Sequence, residues 1–386
     1  MLKSVKIENF RGFKSFELQQ LGRINLLVGE NNSGKTSILE AIQLLCSGTN
    51  LEPLGEIMIN RGEYFWSDDP KEERELDICH LFYDHEFDID SQFSISGIKD
   101  NFKEGFYVNI EKLKLQYVGR DVLDEVSEVF QLGEEFKRRI LSGDMNFNFR
   151  VMWRREDELE EISNLYLSDN DCLYLRDIRR SSRDEKKKFS KTIFINSSSL
   201  NTAKMTELFE KVVLTPEEEL ATEALRIIDP KIERIATANV QKAHQNIGLH
   251  SPDSHTGFFV RLADRKHRVP IGSMGDGIWR ILGLALAIVS AKDGYLFVDE
   301  IDTGLHFTTM LGMWKMIWDT AKRLNVQVFA TTHNSDCWKS LADIAEQEDV
   351  TNHGIRIHRI ERNKKKSVVF IEPEIVIAAE ENIEVR

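Results

Sequence analysis

Gly29-Glu30-Asn31-Asn32-Ser33-Gly34-Lys35-Thr36 fills every fixed position of the G-x-x-x-x-G-K-[ST] phosphate loop. It lies between a short apolar run (Ile24, Leu26, Leu27, Val28) and an amphipathic stretch from Ile38 to Leu45. Strand, loop and helix in that order turn a pattern into a site. The two glycines let the backbone curl until successive N–H groups point at phosphate oxygens, and the helix adds the positive end of its dipole. Gly29, Asn31, Asn32, Ser33, Gly34, Lys35, Thr36 and Ser37 are therefore the expected nucleotide-binding residues. Lys35 is expected on the β- and γ-phosphates and Thr36 on Mg²⁺. The bland alternative, a Gly/Asn-rich turn before an ordinary helix, leaves the filled pattern unexplained.

A chain of 386 residues at 41% hydrophobic composition can bury a full core, as one large domain with an elaborated insertion or as two domains. A formal charge of −13 argues against a generic polyanion binder, because backbone affinity for nucleic acid comes from Lys and Arg releasing counterions. Cys46, Cys79, Cys172 and Cys337 are scattered without C-x-x-C spacing, which reads as buried thiols in a reducing compartment. Neither a disulfide framework nor a zinc site is implied. Met1 to Glu8 alternates like a strand, not a signal peptide, and the apolar run from Ile281 to Ala291 is too short to span a bilayer. A soluble cytoplasmic protein with no membrane partner is expected.

Hydrophobic periodicity predicts strands near 2–8, 14–18 and 24–28, then the loop and its helix to Cys46, in an amino-terminal lobe over 1–84. An antiparallel meander is expected over 73–118, including Leu76 to Phe82 and Phe106 to Ile110. A charged helix over 120–141, a strand at 146–153 and helices over 201–245 follow, so that 85–250 reads as an insertion into the core. The carboxyl-terminal lobe, 251–386, resumes with strands at 258–262 and 269–271 and a helix at 276–290. Strands at 295–298 and 326–330, helices at 305–322 and from 335, and a closing hairpin over 354–371 complete it. Apolar strands alternating with helices predict an α/β fold with a mainly parallel sheet.

A phosphate loop needs a carboxylate partner, and Tyr295-Leu296-Phe297-Val298-Asp299-Glu300 supplies one at the end of a buried strand. Asp299 is the expected metal ligand and Glu300 the expected base for the attacking water. The next apolar strand ends in Thr331-Thr332-His333, which sets His333 at the same sheet edge, where it can sense the γ-phosphate. Gly272-Ser273-Met274-Gly275-Asp276-Gly277 stands directly before a helix. Ser273 and Gly275 there are either anion donors or part of a helix cap, with Ser273 or Asp276 as the capping side chain.

The order of phosphate loop, long intervening segment, Ser-x-Gly-x-Gly loop, acidic strand and Thr-Thr-His resembles the ABC-type AAA ATPases of the SMC, RecF and OLD families. Ile7-Glu8-Asn9-Phe10-Arg11-Gly12-Phe13 is similar to their shared opening, and Glu300 to His306 resembles the D-loop of OLD-like ATPases. The resemblance covers roughly 1–50 and 257–340. It implies a P-loop fold of ABC type, ATP and Mg²⁺ as ligands, and ATP hydrolysis. It also implies Lys35, Glu300 and His333 as catalytic, Arg11 beside the nucleotide, and Ser273 and Gly275 acting on ATP held by a second subunit. Ile301 and Asp302 stand where many OLD-type proteins have Pro-Glu, and no glutamine is assigned as the Q-loop.

A homodimer or higher homo-oligomer follows from that resemblance. The chain ends about 85 residues after Glu300, short of a TOPRIM nuclease domain. The chain thus resembles stand-alone OLD-like ATPases of PARIS-like or Septu-like anti-phage systems, which implies a separate effector, a TOPRIM-type or other nuclease. Arg176, Arg179, Arg180, Arg183, Lys186, Lys187, Lys188 and Lys191 form a basic cluster with Phe189 as its one interleaved aromatic, which reads as a solvated loop before a nucleic-acid surface. A RecF-like DNA-binding clamp and an ATP-dependent scaffold with little turnover are the alternatives.

Overall fold

A computed structural model describes residues 1–65, 74–112, 147–156, 158–168, 170–183, 190–196, 200–237, 257–346 and 354–385. Its centre is a six-stranded sheet in the order β11-β15-β16-β3-β17-β18. The strands are β3 (Ile24–Val28), β11 (Thr192–Ile195), β15 (Tyr295–Val298), β16 (Gln327–Thr331), β17 (Ile355–Arg359) and β18 (Val368–Phe370). All neighbours are parallel except β17 and β18, which form the expected hairpin. These strands read as unbroken apolar runs because both faces are covered. Leu26, Val28, Leu296, Val298, Val328 and Ala330 enter one core, and Leu27, Tyr295, Phe297 and Phe329 enter the other.

The first core packs against α4 (Thr202–Val212), α5 (Glu218–Leu225), α6 (Asp276–Ser290), α7 (Phe307–Arg323) and α8 (Ser335–Ala345). The second takes in α1 (Lys35–Ser47), α2 (Glu52–Arg61), α3 (Leu175–Arg183) and an antiparallel sheet in the order β2-β1-β6-β7-β8-β9. That sheet comprises β1 (Leu2–Phe10), β2 (Phe13–Leu18), β6 (Gln92–Lys99), β7 (Phe102–Lys112), β8 (Phe147–Arg155) and β9 (Glu158–Tyr166). Three-stranded sheets form from β4 (Tyr64–Phe65), β5 (Glu75–Leu76) and β10 (Leu173–Tyr174), and from β12 (Ile232–Thr237), β13 (Phe258–Leu262) and β14 (Val269–Pro270). A last helix, α9 (Glu372–Glu380), follows β18.

Three expectations need correction. The span 85–250 does not stand apart as an insertion: β6 pairs with β1, β11 is the edge strand of the central sheet, and α4 and α5 bury their apolar faces in the central core. Leu76 to Phe82 alternates in sequence, yet only Glu75–Leu76 is strand, and a 3₁₀ turn takes Ile78–Leu81 with Asp77 as its cap. Ile232–Thr237, expected helical, is β12, since its β-branched apolar residues Ile232 and Ile235 pack in the core beside β13. The expected helix at 120–141 lies outside the described residues. Among the described residues no helix is long and apolar enough to cross a membrane.

Candidate nucleotide site

The parallel pairing of β3, β16 and β15 brings their carboxyl ends to one edge, and the loops beyond them carry the site. Gly29 and Gly34 have φ of +144° and +93°, and a Cβ at either would collide, with the Ile360 carbonyl and the Phe13 ring respectively. Asn32 also takes a left-handed φ of +60°, and Asn31 is exposed at the loop's crest. The loop opens α1 with no side-chain cap and no acidic residue in its first turn, which leaves that end suited to an anion.

Lys35, 5% exposed, folds back so that Nζ donates to the carbonyls of Gly29 (2.9 Å) and Glu30 (2.7 Å), with Ser33 Oγ at 3.4 Å. Burial pulls its ammonium down to about 8, against the opposing pull of Asp299 and Glu300. Thr36 Oγ1 donates to Asp299 Oδ2 at 2.9 Å. Thr331 Oγ1 donates to Asp299 Oδ1 at 2.6 Å and accepts from the Glu300 N–H at 2.8 Å. Glu300 itself holds a φ of +50°, a left-handed geometry uncommon outside glycine, and its carboxylate accepts from Thr303 at 3.3 Å. Hydroxyl and carboxylate oxygens are the donor set that Mg²⁺ prefers, and Thr36 with Asp299 fits it.

His333 lies just past β16, partly exposed at the same edge. Ser273 is exposed on a 3₁₀ turn (Ile271–Met274), and Gly275, φ +93°, precedes α6. The residue at the N-cap of α6 is Gly275, which has no side chain to cap with. Gly277, on the first turn of α6, lies against the Gly304 carbonyl, 3.4 Å from where its Cβ would be. Ser37 Oγ accepts from Arg61 Nη2 at 3.2 Å. Arg11, expected beside the nucleotide, directly follows β1 and packs against the phosphate-loop helix. Only 3% exposed, it pairs with Glu40 (2.9 Å) and Glu63 (2.6 Å), and Glu40 also takes Arg61 (2.6 Å). Its guanidinium joins a buried ion-pair network that ties β1 to α1 and α2, because a charge taken out of water needs partners.

Sequence reasoning missed three residues. Thr331 stood inside the quoted Thr-Thr-His without a role. Arg280, 5% exposed, donates to the carbonyls of Glu300 (2.8 Å), Asp299 (3.3 Å) and Asn196 (3.4 Å). Burial lowers its pKa to about 10, so it stays charged. It is the one charged residue between Gly277 and Ala291, a signal that was available. Asn196 directly follows β11 near Asp299, whose N–H donates to the Ile195 carbonyl at 2.7 Å. With Thr36, Gln43, Arg61 and Asp299 it lines a cavity of about 300 Å³ next to the carboxylate.

In the basic cluster, Arg176 stacks over Tyr174 (4.8 Å), and Arg176 and Arg180 both pair with Asp177. Residues 184–189 lie outside the described residues.

This fold and this loop define a P-loop nucleoside triphosphatase fold of the α/β class. A family model for the AAA ATPase domain matches residues 1–337. The chain belongs to that AAA ATPase family, and all the motifs above fall inside the match. An ATP/GTP phosphatase of Helicobacter pylori is 23% identical over 360 residues, 90% of each chain. The DNA replication and repair protein RecF of Clostridioides difficile is 49% identical over 47 residues, 12% of this chain and 13% of RecF. The SMC head domain of Thermotoga maritima aligns with 96% of this chain and 98% of its own at 13% identity, with a TM-score of 0.41.

Proposed function

We propose that this chain hydrolyses ATP with Mg²⁺ at the edge where Thr36 meets Asp299. That one contact carries the reading, because it joins the phosphate loop to the acidic strand and brings a hydroxyl and a carboxylate together where a phosphate-bound cation needs them. Lys35 neutralises the β- and γ-phosphates, exchanging its loop carbonyls for phosphate oxygens. Bound Mg²⁺ supplies charge neutralisation at the phosphates. Glu300 orients and deprotonates water, its backbone fixed by Thr331. His333 senses the γ-phosphate, so that ATP and ADP give different states.

Ser273 and Gly275 are assigned to the ATP of a second copy. Their exposure at the start of α6 supports a contact made between subunits. ATP then closes a dimer and hydrolysis opens it, which suits control of a separate effector; a nuclease in anti-phage defence is the effector that the OLD-like motifs suggest. The name of the Helicobacter pylori relative supports nucleotide hydrolysis here. Turnover measured with and without EDTA, for the native chain and for Glu300→Gln, tests the site. A general base contributes about 10²–10⁴ in rate, so Glu300→Gln should slow hydrolysis by that factor while ATP still binds. Undiminished turnover overturns the assignment.

The RecF stretch favours a second reading, a clamp on DNA. Its test is salt-dependent DNA binding that disappears when the lysines and arginines of 176–191 are neutralised.

A further inference from the structure

Among the described residues, Asp77, Cys79 and His80 each bring one ligand-type atom within 4.8 Å of the others. All three are partly buried, and none belongs to the nucleotide site. The local fold explains the convergence. A 3₁₀ turn places residues i and i+3 over one another, so Asp77 and His80 share a side. Asp77 uses Oδ1 to cap the turn, accepting from the Cys79 N–H at 3.2 Å, which leaves Oδ2 turned toward His80 Nε2 at 3.5 Å. On the far side of the same ring, Nδ1 of His80 lies 3.3 Å from Nδ1 of His85. The backbone reaches that contact through two successive left-handed residues, Asp84 and His85, at φ +63° and +60°.

We propose that Asp77, Cys79 and His80 bind a zinc-type transition-metal ion, with His80 ligating through Nε2 and His85 holding the ring from behind. The donor set decides the class of ion: one thiolate, one imidazole and one carboxylate suit Zn²⁺, whereas Mg²⁺ and Ca²⁺ take oxygen. A ligating histidine hydrogen-bonded through its other nitrogen is the usual arrangement of such sites, and His85 supplies that partner. Three protein ligands leave a fourth position for water or an incoming group. The cysteine spacing alone hid the site, because its single sulfur is completed by Asp and His. The turn is also wired to the phosphate loop: the carbonyls of His80 and Leu81 accept from Arg11, which pairs with Glu40 on α1.

Cobalt(II), titrated into the full chain without nucleotide, tests the proposal, since a sulfur-to-cobalt charge-transfer band reports a thiolate ligand and the nucleotide site contains no sulfur. The native chain should show the band and Cys79→Ser should lose it, while Cys172→Ser keeps it. His85→Phe should keep the band and bind cobalt about 10–100-fold more weakly. Zinc should raise the melting temperature of the native chain and not that of Cys79→Ser, whose metal-free melt serves as the folding control. No band in the native chain, or a band surviving in a folded Cys79→Ser chain, overturns the site.

Discussion

Thr36 and Asp299, 263 positions apart, meet through a hydroxyl-to-carboxylate hydrogen bond of 2.9 Å. Thr331 grips the other Asp299 oxygen at 2.6 Å, so both carboxylate oxygens are held in place. Replacing Thr36 with Val or Asp299 with Asn should cut ATP turnover by at least about 100-fold. Raising the Mg²⁺ concentration should not restore it, which a magnesium titration of steady-state hydrolysis checks.

Arg280 clamps the carbonyls of Asp299 and Glu300 from the helix that begins at the Ser273–Gly275 loop. Arg280→Met removes charged hydrogen bonds worth about 1.5–3 kcal/mol, and denaturant unfolding should show a loss of that size. Turnover should fall while the ATP dissociation constant stays unchanged, because the clamp touches the backbone of the acidic strand and no phosphate.

Lys35 titrates near 8 because burial disfavours its charge. A bound triphosphate favours the ammonium, so ATP binding between about pH 8 and 10 should take up a proton. ATP affinity should therefore weaken as the pH rises through 8. Calorimetry in buffers of different ionisation enthalpy measures that proton, and it should be absent in Lys35→Met.

His358, fully buried on β17, is held neutral, its pKa pushed from 6.5 down to about 3 by burial and the neighbouring Arg356. The unfolded chain takes up a proton between those values and the folded chain does not. Stability from this group is thus complete above pH 6.5 and is lost as the pH falls toward 3. The slope is about 1.4 kcal/mol per pH unit. His358→Leu should flatten the acid side of the stability profile by up to that slope, as urea melts across the range will show.

The nucleotide edge was legible in the sequence because each of its parts is contiguous: a loop of eight residues, a strand ending in two acids, a strand ending in Thr-Thr-His. What stayed hidden depends on partners far along the chain. The ion pairs of Arg11 were hidden because its acids, Glu40 and Glu63, are remote in sequence. Thr192–Ile195 is only four residues long and sits among charges, so nothing marked it as a strand of the central sheet or Asn196 as the residue that follows it. Leu76 to Phe82 shows the reverse error. Its alternation is that of a strand, but Asp77 accepts from the Cys79 N–H and turns the chain into a 3₁₀ helix.

In the proposed function each phosphate loop is half of a site which Ser273 and Gly275 of a second copy complete. Mixing a Lys35→Ala chain with a Ser273→Arg chain, each inactive alone, tests it by ATP turnover. If the site is composite, the mixture recovers hydrolysis, because one pocket of the mixed dimer keeps both a native loop and a native Ser273. A mixture as inactive as its components, with dimers present, would contradict the account.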